Sequence, residues 1–294
     1  MEKAKKIILL LGARGMLGAA LTERLSREYK VIALGHIECD ITDSKRVAGI
    51  FSRYRPWLAL NAAAMTNVDA CQEDPEKARA VNAKGPYNIA KAAGKHNAIV
   101  IQISTDYIFS GRKDKPYQEN DYASPVNIYG ETKLEGERLI RKTVKKHIII
   151  RTSWLFGKGK DNFISSIIKR SRKEKVLRIA SDKYSSPTYA LDLARAISEI
   201  INLIDGSAGP DKVYGTYHIS NRGYCSWYEY AQVILKSAKI ARVKLEPIKM
   251  GQINFKARRP VFSALDNSKY SRLTGKPPRK WQTAVKEYIE REYM

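Results

Sequence analysis

Three scarcities narrow what this sequence can be. It has 3 cysteines in 294 residues, and Cys39, Cys71 and Cys225 stand too far apart for a zinc ligand set or a disulfide framework. They read as small apolar residues in a reducing compartment, so a cytoplasmic protein with no metal site is expected. No apolar run approaches the roughly 20 residues of a membrane span, and Ile7 to Leu11 is too short for a secretory core. A chain with no membrane or targeting segment is therefore expected. Acidic residues are the third scarcity: 30 Asp plus Glu against 53 Lys plus Arg leave a net charge of +23.

Such a field attracts polyanions, yet the basic residues are dispersed, and neither zinc-finger spacing nor an aromatic RNA-binding signature accompanies them. A nucleic-acid partner is not expected. A solvated basic surface that helps capture a small anionic substrate is.

With 44% hydrophobic side chains, the chain can bury a large core. Apolar runs alternate with helical patterns: Lys6 to Leu11, Met16 to Tyr29, Val31 to Leu34, Ser44 to Tyr54 and Trp57 to Asn61. The alternation continues through Pro86 to His96, Ala98 to Ser104, Asn127 to Lys145 and His147 to Ser153. Repeated βα units predict an α/β fold with a doubly wound, Rossmann-type parallel sheet and ligands at the carboxyl ends of its strands.

Beyond Gly157 the pattern loosens. Helices are expected at Phe163 to Lys173, Ala190 to Leu203, Trp227 to Ala238 and Thr283 to Tyr293, with short strands at Val176 to Ala180 and Tyr217 to Ser220. This predicts a sheet domain over 1–157 and a smaller C-terminal substrate-binding lobe over 158–294, with helix 190–203 packing back on the first domain. Asp205 to Asp211 and Lys276 to Arg279 read as surface connections.

Directly after the first strand stands Gly12-Ala-Arg14-Gly15-Met16-Leu17-Gly18, a GxxGxxG loop opening a helix. Backbone amides and the helix dipole there suit a dinucleotide pyrophosphate, although a tight strand-to-helix turn also explains Gly12 and Gly15. The second strand ends at Leu34-Gly35-His36 without the acidic residue that holds an NAD ribose. NADPH and NADH both stay open, with Arg14 a candidate for a 2′-phosphate. Asp40 is a candidate adenine contact or merely solvated, and Asp43 a helix N-cap.

Tyr129 and Lys133 lie four residues apart in a helical pattern, about 400° of turn, and so share one face. Bringing a phenol of pKa about 10 near neutrality takes about 4 kcal/mol of selective phenolate stabilisation. A neighbouring ammonium and an oxidised nicotinamide supply that kind of field. Thr105, just past a strand, carries a hydroxyl suited to a carbonyl oxygen that gains charge.

These residues resemble the extended short-chain dehydrogenases and, within them, the dTDP-4-dehydrorhamnose reductase family. The resemblance rests on the glycine loop, Asn61-Ala-Ala-Ala-Met-Thr66 with Val68-Asp69, and Ser104-Thr-Asp-Tyr-Ile-Phe109. It rests further on Tyr129-Gly-Glu-Thr-Lys133, Arg151-Thr-Ser-Trp-Leu-Phe-Gly157, Ser186-Pro-Thr188 with Asp192-Leu-Ala194, and Arg259-Pro260 with Ser263-Ala-Leu-Asp-Asn267.

It implies NADPH- or NADH-dependent reduction of a dTDP-linked 4-keto-6-deoxyhexose, with Tyr129, Lys133 and Thr105 catalytic. Thr105, Asp106, Tyr129 and Trp154 would hold the sugar. The cofactor would lie along Gly12, Arg14, Gly15 to Gly18, Asp40, Ile41, Ala63, Ala64, Met65, Tyr129 and Lys133. Trp154 also suits a core role. Met65 stands where the family usually carries an aromatic or imidazole ring. Ala20 stands where some members carry the glutamate of a magnesium-bridged dimer, so a homodimer is carried over without the metal. Two alternatives stay open: another nucleotide-sugar epimerase or reductase, and a non-catalytic subunit resembling the methionine adenosyltransferase β subunit.

Overall fold

Five consecutive apolar residues form the first strand, β1 (Ile7–Leu11), and their alternation decides the layers. Ile8 and Leu10 point into one core cluster, Leu9 and Leu11 into another, as the period of two of a strand buried on both faces requires. The computed structural model describes residues 5–206 and 212–294.

After β1 come α1 (Met16–Leu25), β2 (Lys30–Leu34), α2 (Ser44–Tyr54), β3 (Leu58–Asn61), α3 (Val68–Glu73), α4 (Pro75–Arg79), α5 (Gly85–Lys95) and β4 (Ile99–Thr105). Next are α6 (Ile128–Thr143), β5 (His147–Thr152), β6 (Leu155–Phe156), α7 (Phe163–Ser171), β7 (Val176–Ala180), β8 (Tyr184–Ser185) and β9 (Thr188–Tyr189). The chain closes with α8 (Ala190–Gly206), β10 (Gly215–His218), β11 (Cys225–Ser226), α9 (Trp227–Ser237), β12 (Lys244–Ile248), α10 (Ser268–Thr274) and α11 (Trp281–Tyr293).

The central sheet is six-stranded and parallel, in the order β10-β5-β4-β3-β1-β2. Its order reverses between β1 and β3, which opens a crevice at their carboxyl ends. Helices α1 and α8 cover one face, Leu21 and Leu25 sharing a cluster with Leu193, Ile197 and Ile201. The other face carries Val47 and Phe51 of α2, Ile89 and Ala93 of α5, and Ile140 of α6. A separate cluster joins Ile164 and Ile168 of α7, Tyr230 and Ile234 of α9, and Val285 and Ile289 of α11 to β7.

The doubly wound α/β fold is as expected, and α8 shares a core cluster with α1. One strand differs in place: the segment expected at Tyr217 to Ser220 in the C-terminal lobe is Gly215–His218, and it pairs with β5 at the edge of the central sheet. Four residues carry too little alternation to reveal their neighbour, and the backbone donors of β5 were the free edge to satisfy. Asp43 caps α2, accepting from the amides of Lys45 and Arg46 at 2.9 and 3.0 Å. The connection anticipated at Asp205 to Asp211 overlaps the end of α8, and residues 207–211 lie outside the described residues. Among the described residues, no helix is long and apolar enough to cross a membrane.

Candidate active site

The crevice begins at the glycine loop. Gly12 holds a left-handed φ of 80°, and a Cβ on Gly18 would lie 2.2 Å from the Gly12 carbonyl oxygen, so α1 starts hard against the loop only without side chains. Gly15 caps α1 with no side-chain hydrogen bond, which leaves first-turn amides facing the crevice for an anion.

Across the crevice, β4 ends in Thr105. Its hydroxyl oxygen accepts the Tyr107 amide at 3.2 Å and so starts a 3-10 turn over Asp106–Ile108. Helix α6 is capped by Asn127, which accepts the Gly130 amide at 2.9 Å. A Cβ on Gly130 would meet the Tyr107 carbonyl oxygen at 2.1 Å. That close approach brings Tyr129 to the same cleft as Thr105 and sets its ring edge-on to Tyr107 at 5.7 Å.

Together these residues line a cleft of about 390 Å³: Gly15 to Gly18, Ala64, Thr105, Asp106, Tyr129, Lys133 and Trp154 all face it. Thr152 also lines it, and its buried hydroxyl has no partner among the described residues. A cleft of this size in which several polar groups converge is a usual form of ligand site.

Burial dominates the electrostatics. Tyr129 keeps part of its surface open to the cleft, yet burial by the surrounding protein raises its phenol well above the ordinary value, with the nearby Thr105 hydroxyl opposing. The direction is opposite to the one expected from a neighbouring lysine. Lys133 turns its Nζ to the Ile103 carbonyl at 2.6 Å, and burial brings it down to about 8, with Glu137 opposing. A phenol held protonated at neutral pH suits a proton donor.

The other anticipated residues are spread around this core. Gly12 and Ala63 pack backbone to backbone behind the loop, and Ile41 is a core residue against Gly85. Asp40 accepts the Thr42 amide and hydroxyl at 2.9 and 2.8 Å, which lowers its carboxyl. Met65 is tied through its backbone to Asn82. Arg14 pairs with Glu38, whose other oxygen accepts the Gly35 amide at 2.9 Å. Trp154 has a positive φ of 39°, stacks on Tyr230 at 5.9 Å and lines the cleft.

Sequence reasoning passed over Thr66, Val68, Ile103, Tyr107, Ser153, Lys160 and Asp161, which also line the cleft. Gly157-Lys-Gly-Lys160 offered a signal, a glycine-rich basic turn just after a strand. Glu38 carried none, because it lies four residues past the end of β2 and reaches back only through the turn.

The family model described as the RmlD substrate binding domain matches residues 5–294. The chain is 38% identical over 284 residues to the spore coat polysaccharide biosynthesis protein SpsK of Bacillus subtilis, covering 96% of each chain. It is 35% identical over 287 residues to a dTDP-4-dehydrorhamnose reductase of Aggregatibacter actinomycetemcomitans, covering 95% of this chain and 97% of the relative. A crystal structure of the Bacillus anthracis dTDP-4-dehydrorhamnose reductase in complex with NADP superposes with a TM-score of 0.90 at 33% identity, covering 98% of this chain and 99% of that one. With the family model matching residues 5–294 and a curated reductase 35% identical over 95% of this chain, the chain belongs to the dTDP-4-dehydrorhamnose reductase family.

Proposed function

We propose that this protein reduces the C4 carbonyl of a dTDP-linked 4-keto-6-deoxyhexose, dTDP-4-dehydro-L-rhamnose, to dTDP-L-rhamnose, in the cytoplasm. The observation that carries the reading is the convergence of Thr105, Tyr129 and Lys133 on one cleft with the open amides of α1. Bound NADPH or NADH would supply the hydride. The glycine loop would hold its pyrophosphate and Lys133 the nicotinamide ribose.

The sugar would sit between Thr105, Asp106 and Trp154, with its C4 oxygen toward Tyr129. As charge develops on that oxygen, Tyr129 would donate its proton and the Thr105 hydroxyl would stabilise the oxyanion. The raised phenol supports this direction, because the proton stays in place until the oxygen becomes basic. The C-terminal cluster around α7, α9 and α11 would form the substrate-binding lobe, and two chains would pair as a homodimer.

The test is loss of reduced-nicotinamide absorbance on mixing the protein, NADPH or NADH, and dTDP-4-dehydro-L-rhamnose, with Tyr129→Phe alongside. Oxidation that drops at least ~100-fold in the variant supports the reading. Folded, cofactor-binding wild-type protein that leaves the nicotinamide reduced refutes it.

A further inference from the structure

Two carboxyl groups and two lysines line the cleft: Asp106, Asp161, Lys133 and Lys160. Three of the four are already engaged. Asp106 is held from behind, its Oδ2 accepting the Ser263 and Ser185 hydroxyls at 2.6 and 3.0 Å and its Oδ1 lying 3.2 Å from Thr105 Oγ1. Ser263 in turn accepts the ammonium of the buried Lys183 at 3.0 Å, so a cation outside the cleft answers that carboxyl.

Asp161 pairs with Lys169 at 2.7 Å and accepts the Ser165 hydroxyl at 3.3 Å. Lys133 gives its ammonium to the Ile103 carbonyl at 2.6 Å. Lys160 is exposed, and among the described residues its ammonium has neither an ion pair nor a hydrogen bond.

The loop that carries Lys160 is fixed at its base and open at its tip. A Cβ on Gly157 would lie 3.1 Å from Met16 Cγ, which seats the base beside the first turn of α1. The Gly157 carbonyl accepts Tyr288 Oη at 2.9 Å and Asn162 Nδ2 at 3.1 Å, and the same amide nitrogen reaches the Lys160 carbonyl at 3.3 Å. Between these anchors Gly159 takes a left-handed φ of 95°, with nothing within 4 Å of its Cβ position. Glycine makes that turn without strain, and the residue after it faces the cleft.

A nicotinamide dinucleotide and a nucleoside diphosphate sugar each bring a diphosphate, and both must share this cleft. The amides of α1 suit one of them. The second needs a cation that can reach it without giving up a partner, because a charged group moved out of water must regain elsewhere what it loses in hydration. Among the described residues lining the cleft, Lys160 alone meets that condition. An ammonium on a long stem serves a diphosphate as a point charge.

We propose that Lys160 binds the diphosphate of the nucleoside diphosphate sugar and is a specificity-determining residue for that substrate, the cofactor diphosphate resting on the α1 amides. This rests on the reductase reading above.

Lys160→Met removes the charge at an exposed loop position, and Lys160→Arg keeps it. Calorimetry reads the Kd of dTDP on the protein loaded with NADPH and, separately, the Kd of NADPH, beside kcat and KM for dTDP-4-dehydro-L-rhamnose. In Lys160→Met the affinity for dTDP should fall about tenfold and KM should rise by a similar factor, with kcat and the NADPH Kd little changed. Lys160→Arg should hold most of the dTDP affinity, and added salt should weaken dTDP binding more in the wild type than in Lys160→Met.

Equal dTDP affinity in the wild type and Lys160→Met overturns the inference. So does an equal loss in Lys160→Arg, which would assign the effect to packing, and so does a loss confined to NADPH, which would place Lys160 on the cofactor diphosphate. Wild-type protein that binds dTDP through Lys160 yet leaves the nicotinamide reduced refutes the reductase reading alone. Turnover with a KM that Lys160→Met does not move refutes this inference and leaves that reading standing.

Discussion

Glu137 receives both arms of the Arg151 guanidinium, at 2.8 and 3.0 Å, one helical turn beyond Lys133 on α6. Both residues are buried, and Arg141 adds a second cation at 2.9 Å. Arg151 also reaches His218 Nε2 at 3.3 Å; burial, reinforced by the Arg151 charge, brings that imidazole down to about 3. The helix that carries Tyr129 and Lys133 is in this way tied to β5 and β10.

Arg151→Met should destabilise the fold by about 3–5 kcal/mol, because it strands a buried carboxylate. Urea denaturation reads the loss. The double variant Glu137→Met with Arg151→Met should lose clearly less, and equal losses would refute the buried-charge explanation.

Cofactor affinity should weaken in alkali. Lys133 in the free protein sits at about 8, so its ammonium is complete at lower pH and is lost as pH rises past that value. The Kd for NADPH, read by nucleotide fluorescence, should increase by up to about tenfold per pH unit above about 8. Lys133→Met should show a weak affinity that is flat across the same range. A wild-type Kd constant through this window would remove the ammonium from cofactor binding.

Gly130→Ala should separate α6 from the 3-10 turn, since the new Cβ meets the Tyr107 carbonyl oxygen at 2.1 Å. A stability loss of about 1–3 kcal/mol and a kcat loss exceeding any change in KM are expected. Gly49 in α2 has nothing within 4 Å, and Gly49→Ala should instead stabilise by about 0.5–1 kcal/mol. Thermal denaturation of both variants checks the contrast.

Glu38→Gln should shift cofactor preference toward NADPH. The carboxylate now occupies the Arg14 guanidinium and would repel a 2′-phosphate, and its oxygens suit a 2′-hydroxyl. Removing the charge should raise the ratio of NADPH to NADH affinity by about tenfold, while Arg14→Ala lowers it. Parallel titrations with both nucleotides decide, and a ratio unmoved in both variants would place the adenosine ribose elsewhere.

Much of the fold was readable from local signals. The limits of α2 and β7 follow from the Asp43 cap and the bounded apolar run, and the doubly wound sheet follows from the βα alternation around Gly12 to Gly18. The parts that failed to show were non-local. β10 is a short edge strand whose partner lies over sixty residues away, and Ile41 looks the same in sequence whether it faces a ligand or Gly85.

The sequence by itself determined that this is a doubly wound α/β protein with a glycine loop after its first strand and Tyr129 and Lys133 on one helical face. Those features depend on periodicity and on spacings of a few residues, which the linear order carries. Only the tertiary structure decided that burial raises Tyr129, that Glu38 occupies Arg14, and that Lys183 joins Ser263, Asp106 and Thr105 in one line. Desolvation and hydrogen-bond direction depend on what folds around a group, and Lys183 stands 77 residues from Asp106 in the chain and two hydrogen bonds from it in space.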